Sequence, residues 1–186
     1  LARCRALGIS AVSIPGVAAD LIQANRRPPR IVSGCGDAPV DFGEVGDIEA
    51  IGTTLLEHLC NGGYLPVVNS LGCDEGGQIL NINADIAANK IAIAMGASKL
   101  LLLTGAPGVL ENAEDPSSLI PDLTIAEAKA AIADGIIGGG MIPKLEESFI
   151  ALKSGVGAVH ILGAATPGGL LKELNESQRT GTRLRV

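Results

Sequence analysis

The 186-residue sequence predicts an α/β fold around a mostly parallel sheet. Three observations carry this. Short apolar runs alternate with stretches of helical periodicity along the whole chain. Residues 99–103 (KLLLL) form the kind of continuous apolar strand that a parallel sheet covers on both faces. Glycine or proline stands at most changes of pattern. The pattern itself changes near Gly96, with hairpin-like segments before it and simple βα units after it. The expected domains are therefore 1–95 and 96–186.

Taken in order, residues 1–8 read as the end of a helix closed by Gly8. Residues 9–14 are a short strand. Residues 21–32 look like a polar, irregular hairpin region containing Arg26, Arg27 and Arg30, and two readings stay open for these arginines: an anion site or a solvated edge. The stretch 33–47, with Gly34, Gly36, Gly43 and Gly46, reads as loop and edge strand. Thr54 and Glu57 fit a capping box, in which a hydroxyl and a carboxylate each satisfy the other residue's backbone N–H. Gly62 and Gly63 stop that helix. Residues 64–70 are a strand expected to bury Val67 and Val68. Asp74, Glu75, Gly76 and Gly77 turn the chain into a returning strand at 78–82. A helix at 84–95 ends at Gly96.

The strand at 99–103 is followed by a turn at 104–108 and a polar loop at 111–118. Thr124 and Glu127 form a second capping box opening a helix to Ala133. After a loop at 135–140, Pro143 starts a helix to about Ser154, stopped by Gly155. Residues 158–162 are a strand. Thr166 and Pro167 read as N-cap and first helical residue of a helix to about Glu176. Residues 182–186 form a last strand.

Composition narrows the function. The chain is 47% hydrophobic and 18% charged, enough for a real core. Aromatics are 2% with no Trp, so stacking platforms for single-stranded nucleic acid are scarce. A net charge of −6 opposes general DNA or RNA binding. Cys4, Cys35, Cys60 and Cys73 form no C-x-x-C pair and only two histidines exist, so no metal site is expected. Scattered single cysteines suit reduced thiols of an intracellular protein. The expected location is the cytoplasm, or a plastid if the source is a photosynthetic eukaryote. No apolar run approaches the ~18 residues of a membrane span.

Three strand ends are candidate sites, because ligands of open α/β sheets bind at the carboxyl ends of strands. The first is Gly138-Gly139-Gly140-Met141-Ile142-Pro143-Lys144. Proline suits the first helical turn, which makes Lys144 a first-turn residue. A cation is disfavoured there unless an anion joins it. Bare glycine backbone and a lysine describe a phosphate site, with a solvated loop as the plainer alternative. The second is the turn from Thr104 to Gly108, which has little bulk and lets a flat ligand approach the backbone. The third is Asn81, Asn83 and Asp85. Local capping accounts for Asn83 and Asp85. It leaves Asn81, whose amide can both donate to and accept from an amino-acid-like substrate.

Together, NINAD, LLLTGAPGVL, the EDPSSLI loop and GGGMIPK resemble the acetylglutamate kinase branch of the amino-acid kinase family. GEVGDIEAI, YLPVV and GTRL match too, in order and spacing, over nearly the whole chain. The resemblance implies a three-layer αβα sandwich with an open, mainly parallel sheet. It implies an acyl-amino-acid lobe and an ATP lobe, and phosphorylation of the γ-carboxylate of N-acetyl-L-glutamate in arginine biosynthesis, with ATP and Mg²⁺. It further implies that Asn81 contacts substrate, Asp85 orients catalytic lysines and Lys144 stabilises the transferring phosphoryl group. Thr104, Gly105, Ala106, Pro107, Gly108, Val109, Leu110, Ile136, Ile137 and Gly138 would line the nucleotide site. A homo-oligomer and a PII-type regulator, docking near the loop at 110–118, are the implied partners.

There are three departures from the family pattern. The K-x-G-G strand end with a second lysine, a glycine-rich loop and a substrate-clamping arginine are not in this sequence; with Leu1 falling inside a helical pattern, the chain is expected to be the C-terminal two-thirds of the enzyme. Gly105 stands where the family has Asp. Pro15-Gly16-Val17-Ala18-Ala19 replaces S-G-x-D-G. A related kinase for another acyl amino acid, and a non-catalytic regulatory homologue, are the alternatives.

Overall fold

In the computed structural model, the described residues are 1–32, 36, 38–175 and 180–186. They form two compact units, Leu1–Met95 and Gly96–Val186. Strand pairs are mixed, with parallel pairs in every sheet, so the α/β class holds.

The first unit contains α1 (Ala2–Ala6), β1 (Ala11–Ile14), β2 (Ile22–Arg26), β3 (Gly46–Ile51), α2 (Thr54–Asn61), β4 (Leu65–Val68), β5 (Leu71–Cys73), β6 (Ile79–Asn81) and α3 (Ala84–Ala94). β1 lies parallel to β4. A second sheet has the order β3-β2-β5-β6. Its core is aliphatic: Leu21, Ile22, Ala24, Leu80 and Ile82 pack with Ile14, Leu56 and Ala87. Each fully buried Leu or Ile stabilises by about 1.5–3 kcal/mol.

Several local expectations change here. Residues 22–26 are a strand with Ile22 and Ala24 in the core, paired antiparallel with β3 through an irregularity between Gln23 and Ala24. The arginines are matched by the chain's own carboxylates: Arg26 with Asp41 (3.2 Å), Arg27 with Asp47 (2.6 Å) and Arg30 with Asp47 (2.7 Å). Arg27 also lies over the Phe42 ring, 5.5 Å from its centre. Part of the 33–47 expectation, and Cys35, fall outside the described residues; Cys4, Cys60 and Cys73 are free thiols. The Thr54 capping box does not form. The helix begins at Thr54 itself, after Thr53, and buried Leu56 takes the third position where the box needs an acidic residue. Val67 is exposed.

The segment replacing S-G-x-D-G does turn the chain. Gly16 N–H donates to Asn69 Oδ1 at 2.8 Å, and Ala19 and Asp20 take φ of 50° and 55°. That left-handed region suits glycine, and other L-residues lose roughly 1–2 kcal/mol in it. Ala19→Gly should therefore stabilise the protein, by up to about 1 kcal/mol after the extra entropy of an unfolded glycine is deducted. Urea denaturation measures this, and a lower midpoint with unchanged slope would contradict it.

The second unit contains β7 (Lys99–Thr104), β8 (Asp122–Thr124), α4 (Ile125–Ala133), α5 (Met141–Lys153), β9 (Ala158–Gly163), α6 (Gly169–Leu174) and β10 (Gly181–Arg185). The sheet order is β7-β9-β10-β8. β7 and β9 run parallel from Lys99 opposite Ala158 to Thr104 opposite Gly163, so their carboxyl ends finish side by side. Leu145, Phe149 and Leu152 of α5 are buried along with Val159, Ile161 and Leu162 of β9. β7 is an edge strand of this sheet, and Leu103 is exposed rather than covered on both faces. The Thr124–Glu127 capping box forms as expected. Thr166 is not an N-cap: left-handed Gly168 intervenes and α6 starts at Gly169. The expected end of that helix at Glu176 lies outside the described residues.

His160 and Glu173 are both buried, 2.8 Å apart through Nδ1 and Oε1. Glu173 Oε2 accepts from the Thr180 and Gly181 amides at 2.9 and 3.1 Å. Burial alone would raise the Glu173 pKa; the hydrogen bonds from His160, Thr180 and Gly181 outweigh it and hold the carboxyl below its ordinary 4.5. A depressed folded-state value gives stabilisation that is present above 4.5 and is lost as pH falls through the lower, folded value. Glu173→Gln should make the acid limb of stability less steep below pH 4.5. It should also cost about 1–3 kcal/mol at pH 7, because a single amide oxygen cannot serve both His160 Nδ1–H and the Thr180 and Gly181 amides. Denaturation midpoints across pH measure both, and an acid limb as steep as the wild type's would disprove the assignment.

Candidate active site

In the first unit, β6 delivers Asn81 and the chain enters α3 three residues later. Asn81 N–H donates to Glu44 O at 2.7 Å, so its backbone is held in the sheet while its side chain is exposed. Asn83 is the N-cap, its Oδ1 accepting from the Asp85 and Ile86 amides at 3.0 and 3.1 Å. Capping thus accounts for Asn83. Asp85, half-buried in the first turn, is a favourable charge at a helix N-terminus.

In the second unit, the turn after β7 is shaped by short-range bonds. Ala106 N–H donates to Thr104 Oγ1 at 3.0 Å, bending the chain directly at the strand end. Gly108 is required by close approach: a Cβ there would meet Leu119 Cδ1 at 2.6 Å and Thr182 Oγ1 at 2.8 Å. Thr182, on β10, accepts from Val109 N–H at 2.8 Å and donates to Ile120 O at 2.6 Å. One buried hydroxyl therefore ties the turn to the sheet and to the segment entering β8. Thr182 was read from sequence only as a strand residue; no local pattern marks its role.

Opposite that turn, Ile136 and Ile137 both donate to Ala131 O as α4 unwinds. Ile137 is buried and Ile136 exposed. A cavity of about 210 Å³ lies between these segments, lined by Ala106, Gly108, Val109, Leu110, Ala113, Ile136, Ile137, Gly138 and Met141. It gathers seven of the ten expected nucleotide residues and adds Ala113 and Met141. Thr104, Gly105 and Pro107 lie on the same turn outside its lining. A larger hollow of about 580 Å³ along Leu1, Arg5 and Ile9 holds none of the candidate residues.

The glycine run leads into α5. Gly138, Gly139 and Gly140 are exposed, and a Cβ at any of them would meet nothing within 4 Å. This backbone is open to a ligand. The helix starts at Met141, so Pro143 is its third residue and Lys144 its fourth, each two residues further in than the sequence suggests. Proline is tolerated at the third position for the same reason as at the first, since that N–H has no partner within the helix. Lys144 is half-buried.

The second unit thus sets an apolar slot beside bare glycine backbone, with Lys144 in the helix that follows. Residues 1–163 match the sequence model of the amino acid kinase family, and the chain belongs to that family. Within it, the chain is a homologue of acetylglutamate kinases. The acetylglutamate kinase of Sorangium cellulosum (strain So ce56) is 49% identical over 179 residues, covering 96% of this chain and 63% of that protein. That of Anaeromyxobacter dehalogenans (strain 2CP-C) is 48% identical, covering 98% and 68%. The chain thus spans 63–68% of the length of these relatives. Among solved structures, N-acetylglutamate synthase from Neisseria gonorrhoeae complexed with coenzyme A and N-acetyl-glutamate superposes with a TM-score of 0.80 at 25% identity, covering 100% of this chain and 40% of that one. No helix among the described residues is long and apolar enough to cross a membrane.

Thr182→Val keeps the side-chain shape but leaves Val109 N–H and Ile120 O without their partner. It should destabilise by about 2–6 kcal/mol, on the order of 1–3 per orphaned group. Thermal denaturation measures this, and an unchanged melting temperature would count against Thr182 as a support of the turn.

Proposed function

We propose that the protein carrying this chain transfers the γ-phosphoryl group of ATP to the γ-carboxylate of N-acetyl-L-glutamate, a step of arginine biosynthesis. The support is chain-long identity of 48–49% to proteins named acetylglutamate kinase, together with the resemblance of the NINAD and GGGMIPK stretches, which hold Asn81, Asp85 and Lys144, to that family. On this reading Leu1–Met95 belongs to the acyl-amino-acid lobe and Gly96–Val186 to the ATP lobe, and the protein works in the cytoplasm.

Phosphoryl transfer needs positioning and charge neutralisation more than covalent help. Asn81 offers an amide donor and acceptor to the acyl amino acid. Lys144 neutralises charge that builds on the phosphoryl oxygens, and the glycine backbone from Gly138 to Gly140 donates to phosphate. Asp85 organises the cationic groups rather than taking a proton, since the substrate carboxylate is already ionised near pH 7. The apolar slot beside Val109 and Ile137 takes the flat base. Mg²⁺ would arrive on the nucleotide's phosphates, where it neutralises charge. At the level of assembly, the reading includes a homo-oligomer and a PII-type regulator docking on the loop at 110–118; light scattering with and without PII tests both.

Gly105 favours a second reading, a non-catalytic regulatory homologue. A Cβ there would meet open space, so packing does not exclude the family's aspartate. Isothermal titration with MgATP separates the two, since absence of binding would favour the regulatory homologue. A panel of acyl amino acids separates N-acetyl-L-glutamate from related acceptors. In a hydroxamate-coupled assay of the complete protein, Lys144→Ala should lower kcat by about 10²–10³. Asn81→Ala should raise KM for the acyl amino acid and leave that for ATP unchanged. Near-normal turnover of the Lys144 variant would sink the assignment.

A further inference from the structure

Few polar side chains are buried among the described residues, and two of them stand in the same relation to the two candidate catalytic residues. Asn89, on α3, is 1% exposed, and Ser148, on α5, is 0% exposed. Each lies four residues beyond a residue assigned to the chemistry. Each donates to that residue's main-chain carbonyl: Asn89 Nδ2 to Asp85 O at 2.8 Å, and Ser148 Oγ to Lys144 O at 2.6 Å. The two bonds occur in different units, on helices of different sequence, and only at these two positions does a side chain bond back to a helical carbonyl four residues earlier among the hydrogen bonds described.

Stability does not account for them. Alanine is a better helix former than either residue. A side chain that bonds the carbonyl four residues back competes with the helix's own ladder and tends to bend it. Asn89 carries a further cost, because its Oδ1 is buried without a partner. What the bonds do is fix a peptide plane. At Asp85 the N–H is held by Asn83 Oδ1 and the carbonyl by Asn89 Nδ2, so the root of that side chain is anchored on both sides. At Lys144 the carbonyl is held from the buried face of α5, beneath the half-buried lysine.

We propose that Asn89 and Ser148 are positioning residues of the kinase reaction, each tethering the backbone from which a catalytic side chain, Asp85 or Lys144, projects. This rests on the kinase reading above. Neither residue needs to touch substrate, and their effect is on the geometry of the transition state. Misplacement of about 1 Å at a reacting centre can cost on the order of 100-fold in rate. Loss of a tether, which loosens the group without removing it, should cost about tenfold.

Ser148→Ala is the cleanest test, because it removes one atom from a fully buried site and improves helix propensity. In the complete protein, kcat should fall about tenfold, both KM values should stay within about twofold, and the melting temperature should hold or rise. Asn89→Ala should lower kcat similarly. Asn89→Ser should recover part of the loss, since a hydroxyl four residues on bonds such a carbonyl at Ser148. A Ser148→Ala enzyme with kcat within twofold of wild type overturns the inference while leaving the kinase reading intact. So does a parallel fall of kcat and melting temperature, which marks a purely structural role, and so does an Asn89→Ser variant no better than Asn89→Ala. A wild-type protein that phosphorylates nothing in the acceptor panel overturns the kinase reading itself, and this inference with it.

Discussion

The hydroxyl of Thr182 holds the second unit's turn after β7 in place. It stands in β10, fully buried, and bonds Val109 N–H on one side and Ile120 O on the other. Those two residues bracket the polar loop, so one side chain closes both of its ends onto the sheet. Its placement depends on register. β10 pairs antiparallel with β9 and parallel with β8, and Arg183 meets Asp122 at 2.8 Å across the latter pairing. A slip of one residue would turn Thr182 to the opposite face and leave the turn unsupported. Gly108 completes the arrangement by having no side chain where the hydroxyl must come close.

The two units apply one construction rule to opposite charges. Each carries a charged candidate residue near the start of a helix. In α3 the charge is negative, an Asn caps the helix and the local electrostatics are favourable. In α5 the charge is positive, no side chain caps the helix, and three bare glycines precede it. A cation in the first turns of a helix opposes the helix dipole. The same contrast appears in the buried polar groups, where Asn89 and Ser148 accept worse helix energetics and hold the backbone of the charged residues.

Legibility in the sequence followed the range of the interaction. The Asn83 cap and the Thr124–Glu127 box were readable because both partners lie within three residues. Thr54 and Glu57 have the same spelling and fail, since the helix phase is set by the burial of Leu56 rather than by the hydroxyl. Thr166 fails because Gly168, in a left-handed conformation, turns the chain before α6. Arg26, Arg27 and Arg30 left two readings open, and Asp41 and Asp47, 15 to 20 residues on, decide between them. The residues expected to line a nucleotide site came from motif resemblance; composition and periodicity would have called their turn an ordinary βα connection.

By itself, the sequence determined the α/β class, the order of nearly every element, the break near Gly96 and the family, because periodicity, caps and short motifs are local properties of a chain. Tertiary structure alone decided which polar side chains are buried and what they bond. Thr182 finds Val109 across 73 residues, and His160 finds Glu173 across a strand-to-helix connection. Asn89 and Ser148 look like ordinary helix residues until packing removes them from water. A buried polar group must be paired within the protein, and the partner it meets depends on strand register and helix phase, which only the assembled core sets.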